Sequence, residues 1–145
     1  MVLKKIIRFI LGVGILSTSF VSHPAWSQPN PGAEVNLREE MTALDRAFKT
    51  IIDAVVLGDI QRISPALMEV TEARESLERA IKAGQMILLP KNQGQFREFL
   101  KLDEQFHIDL EELRSAAETG QRKAVKNYVH KLLDSCIACH ERYRK

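Results

Sequence analysis

From residue 36 to the C-terminus, apolar residues recur every three or four positions, and no stretch alternates as a half-buried strand would. Each such segment must bury one face of a helix against another. The first stripe is Leu37, Met41, Leu44, Phe48, Ile51 and Val55, and the second is Leu67, Val70, Leu77 and Ile81. The third runs through Phe96, Phe99, Phe106, Leu110 and Leu113; the fourth through Val125, Val129, Leu132, Cys136, Cys139 and Tyr143. Gly58, Gly84 and Gly120 punctuate them. Helix starts are predicted near Asn36, with Glu39 completing a capping box, and at Asp59 or Ser64-Pro65. The others fall after Asn92, with Gln95 as box partner, and near Gln121. Two short connections and one longer loop join the segments. The expected fold is therefore all-α, an antiparallel up-down-up-down four-helix bundle.

The first residues follow a different rule. Lys4, Lys5 and Arg8 give a positive start, an apolar run extends from Ile6 to Val21, and Ala25-Trp26-Ser27 suits a signal peptidase. The run is shorter than the roughly 20 residues a bilayer span needs. Residues 1–27 thus read as a cleaved secretory signal peptide and 28–145 as one mature domain, periplasmic and without stable membrane insertion. Removing the three cations of 1–27 turns the net charge of +2 into −1. A near-neutral, mixed-sign domain excludes nucleic acid as the expected partner.

The two cysteines sit in Cys136-Ile137-Ala138-Cys139-His140, a C-x-x-C-H run. On a helix, positions i, i+3 and i+4 share a face. Two thiols so placed can add across the two vinyl groups of one porphyrin, and the adjacent imidazole then meets the iron. The export signal supplies the compartment where that attachment occurs. A thioredoxin-like dithiol would need a strand–helix–strand setting, and a zinc site would need further ligands; neither is evident. One covalent haem c is expected, on Cys136 and Cys139 with His140 as proximal ligand.

The sixth position follows from depth in the bundle. Met41 is five residues beyond the expected helix start at Asn36, and His140 is five from Lys145. Each is then about 7–8 Å from the same end. Met41 is the candidate distal ligand. Met68 belongs to the opposite end, and His107 and His130 lie roughly 15 Å away along the axis. Met86, in the apolar loop Gln85-Met86-Ile87-Leu88-Leu89-Pro90, is the rival. An inward methionine that merely fills core space is the alternative to either.

These residues resemble the class II c-type cytochromes, the cytochrome c-prime family, whose C-x-x-C-H lies in the last helix near the C-terminus. The stretch Asn36-Leu37-Arg38-Glu39-Glu40-Met41-Thr42-Ala43-Leu44-Asp45 is also similar to the opening of the soluble periplasmic b-type cytochrome of the same bundle fold. In that relative the matching methionine is an axial ligand, and the chain ends in a similar His-containing Tyr-Arg tail. The resemblance implies the low-spin, methionine-ligated type, whereas five-coordinate members carry a non-ligating apolar residue there.

The expected function is one-electron transfer by a non-enzyme, with redox partners met through transient contact near a haem edge. Ile87, Leu88 and Leu89 are expected to cover that edge, with Arg38, Lys91, Arg97 and Arg142 near the propionates. Relatives are often dimers, so a homodimer is compatible with the resemblance. The competing readings are a five-coordinate protein binding nitric oxide or carbon monoxide, and a haem-free helical module with a Cys136–Cys139 disulfide.

Overall fold

Glycines with positive φ end three helical segments: Gly58 (75°), Gly84 (76°) and Gly120 (72°) adopt the left-handed conformation that an L side chain resists. Between these stops the computed structural model, which describes residues 31–145, is helical throughout its long elements. Helix α1 spans Pro31–Leu57, a single turn α2 spans Ile63–Ala66, α3 Met68–Lys82, α4 Phe96–Glu118 and α5 Arg122–Tyr143. No strand occurs among the described residues. The four long helices form the expected all-α bundle, with α1 packed chiefly along α3 and α4 along α5.

The apolar stripes explain why these segments cannot stand alone. Their inward residues merge into one core that includes Leu44, Ile51, Leu67, Val70, Leu110, Leu113, Val129 and Leu132. Ala43, Ala47 and Ala54 of α1 and Ala116 and Ala117 of α4 share it, small residues that let helices approach closely. Burying each large aliphatic side chain contributes about 1.5–3 kcal/mol.

Three boundaries differ from the sequence expectation, the first being the second long helix: α3 starts at Met68, after the separate turn α2, rather than at Asp59 or Ser64. Helix α1 is already helical at Pro31, the first described residue, so Asn36 lies within it and is not its cap. Met41 is therefore at least ten residues into its helix, not five. Asn92 does not cap α4: it adopts φ 57°, and its side chain donates instead to the Arg142 carbonyl at 2.7 Å. A short 3-10 turn, Gln93–Gln95, intervenes before α4.

The expected signal peptide, residues 1–27, lies outside the described residues. Among the described residues no helix is long and apolar enough to cross a membrane.

Candidate haem site

The C-x-x-C-H run falls in the last two turns of α5. Cys136 and Cys139 are i and i+3 on that helix and His140 is i+4, so the three occupy one side of its terminal turns. Both thiols are free and half-buried. Burial, with a smaller contribution from Cys139, pushes the Cys136 thiol up to about 11, and burial also raises Cys139. His140 faces solvent, yet partial desolvation and then the Arg144 cation hold its imidazole below the usual histidine range. At neutral pH the ring is uncharged, the form that ligates a metal.

The surroundings of Cys139 are apolar. Leu89, Phe99 and Tyr143 are buried together there, with Leu37, Phe96 and Leu100 packed against them. Phe99 meets Tyr143 edge-on, with centroids 5.4 Å apart. The Tyr143 hydroxyl is buried and has no hydrogen-bond partner within the protein. An attached haem fits this set: two free thiols on one helical face, an uncharged imidazole beside them, an apolar wall and an orphaned polar group at its edge.

Leu37 fixes the level of α1 against this wall. Met41 is one turn further along the same helix, about 6 Å deeper by helical rise. It is half-buried and packs against the main core. Met86, its rival, is 53% exposed on the loop and Met68 is 63% exposed, so neither side chain is held in the interior. His130 is exposed as well. His107 departs from expectation. Its Nε2 lies 2.6 Å from Oε1 of Glu40, the residue beside Met41, although it is eight residues beyond Phe99 of the Cys139 wall, about 12 Å by helical rise.

The loop after α3 is built into the site rather than laid over it. Ile87 is fully buried against Leu77, and Leu89 joins the wall around Cys139. Leu88 is only half-buried. Gln93 holds the loop by its side chain: the Leu89 N–H donates to Oε1 at 2.6 Å, and Nε2 donates to the Ile87 carbonyl at 3.0 Å. Three further bonds tie the loop region to the end of α5. Lys91 Nζ donates to the Glu141 carbonyl at 3.1 Å, Asn92 to that of Arg142, and Arg142 Nε to Gln95 Oε1 at 2.8 Å. Lys91 and Arg142, expected near the propionates, are engaged in this strap; Arg97 is exposed. Sequence reasoning missed the strap because its donors are ordinary polar loop residues whose partners lie 47 to 50 positions away.

No curated protein and no solved structure matches the chain. A family model described as Cytochrome C' matches residues 89–144, from the strap loop through α4 and α5 to the residue after Tyr143. Proteins of that family are electron-transfer or gas-binding haem proteins rather than typical enzymes, and are generally exported. The matched span takes in both cysteines, His140 and most of the apolar wall, so this region of the chain is similar to the Cytochrome C' family, consistent with a class II c-type cytochrome.

Proposed function

We propose that the chain is a periplasmic electron carrier holding one haem c through thioethers at Cys136 and Cys139, with His140 and Met41 as axial ligands. The observation that supports it most directly is the shared wall of Cys139 and Leu37, with Met41 a single turn further along α1. The haem supplies a one-electron iron couple. The chain's residues hold it, exclude water from one face and tune the couple. A methionine thioether is soft and uncharged, which favours the ferrous state, and the apolar wall disfavours the added ferric charge. Ile137, between the cysteines, is 50% exposed and offers an apolar contact for a small, transient redox interface.

Absorption spectra of the matured protein in both oxidation states test this reading. Haem that survives acid-acetone extraction with a low-spin spectrum is the expected result. Met41→Ala should convert the spectrum to high-spin, while Met86→Ala leaves it unchanged. A spectrum unaltered by Met41→Ala removes Met41 from the iron.

One observation favours a second reading. Met41 packs against the main core as a space-filling methionine would, which leaves the iron five-coordinate and open to nitric oxide or carbon monoxide. A high-spin resting spectrum that shifts at once on adding either gas to ferrous protein selects it.

A further inference from the structure

Glu40 is an unusual residue to find inside a helical bundle. Its side chain is completely buried on α1, and neither carboxylate oxygen has a hydrogen-bond partner of acceptable geometry in the protein. A carboxylate removed from water without compensation costs several kcal/mol, so buried carboxylates are paired or bind metals. The closest group is His107 of α4, whose Nε2 is 2.6 Å from Glu40 Oε1, but the ring N–H direction misses the oxygen and Nε2 is itself buried and unsatisfied. One turn earlier on α4, Asp103 brings Oδ1 to 3.8 Å from the same Nε2, and its side chain is 9% exposed. One donor atom each from Glu40, Asp103 and His107 fall within 4.8 Å of one another.

We propose that these three residues bind one divalent transition-metal cation of the zinc class, at a site separate from the haem iron. Imidazole with two carboxylates is a borderline nitrogen–oxygen donor set, suited to zinc and its neighbours rather than to calcium or magnesium. Tetrahedral ligand bonds of about 2.0–2.2 Å place donor atoms roughly 3.3–3.6 Å apart, between the two separations seen here, 2.6 and 3.8 Å. Arg74 of α3 pairs with Asp103 and with Glu78, the latter at 3.0 Å, and so orients Asp103 from behind as outer partners of metal ligands do. A groove between α3 and α4, lined by Thr71, Glu104 and His107 among others, provides an entry path and room for a water ligand.

The test uses the haem-loaded full chain, in which the cysteines and His140 are already engaged. After chelator treatment the protein is equilibrated with Zn2+, passed over a desalting column and analysed for zinc and iron. One zinc per haem iron is expected. His107→Ala and Glu40→Gln should each weaken zinc binding at least about tenfold, and Zn2+ should raise the melting temperature of wild type but of neither variant. His130→Ala, which alters an exposed histidine, should retain zinc. Haem protein that takes up no zinc overturns the proposal; the paired Glu40–His107 contact would then be an ion pair only. Zinc that stays after His107→Ala, or leaves after His130→Ala, overturns it as well. The wild-type stoichiometry decides the matter even if a variant fails to fold.

Discussion

The two ends of the bundle are built differently. At the end away from the cysteines, α1 passes into α3 through a 3-10 turn and α2, and α4 into α5 through Thr119-Gly120-Gln121. Ties there are few: Arg122 Nη1 donates to the Gly58 carbonyl at 2.8 Å, and Ser64 donates to Glu118 at 2.7 Å. At the cysteine end, the connection from Lys82 to Phe96 inserts Ile87 and Leu89 into the interior and clamps the close of α5. The contrast teaches that short turns suffice where helices only need joining. A long loop with side chains of its own occurs where the wall around Cys139 is completed by residues from outside the helices.

Four measurements sharpen this comparison. The largest effect belongs to neither end. Leu113→Ala, in the fully buried middle, should lower unfolding free energy by about 2–5 kcal/mol in a denaturant titration, and a loss equal to that of a loop variant would mean that the core is not continuous. Gln93→Ala should cost about 1–3 kcal/mol, because it strands the Leu89 N–H and the Ile87 carbonyl. Hydrogen exchange should accelerate in the loop and the last turn of α5 but not near Gly58.

The cysteine end should also respond to alkali in the haem-free chain. The folded state holds Cys136 protonated up to about 11, against an ordinary 9.0. The folded form then binds more protons in this window, so stability falls as pH rises from 9 toward 11. The loss should be on the order of 1 kcal/mol, since the thiol is only partly buried. Cys136→Ser should flatten the slope, as melting curves across pH would show. Arg122→Ala, at the opposite end, should cost less than about 1 kcal/mol, because its bond is solvent-exposed.

The helices were legible because periodicity is local. Leu113, Val125 and Leu132 lie where a 3.6-residue repeat places them, and all are buried. The attachment motif was legible for the same reason, being five consecutive residues. What could not be read depends on partners far along the chain. Glu40 sits in a run of charges that looks solvated, yet it is the counterpart of His107, 67 residues on. The start of α1 was misplaced because Asn36 and Glu39 mimic a capping box, although the chain is already helical from Pro31. Asn92 failed as a cap because its backbone is left-handed at φ 57° and its side-chain amide is turned to donate to the Arg142 carbonyl of α5.

The strap from the loop reaches α5 largely through main-chain carbonyls, those of Glu141 and Arg142. Such a fastening is blind to the side chain it passes. The exposed Glu141 can be exchanged for a residue of any charge, which lets the surface potential at this end change while the fastening of the loop to α5 stays unaltered.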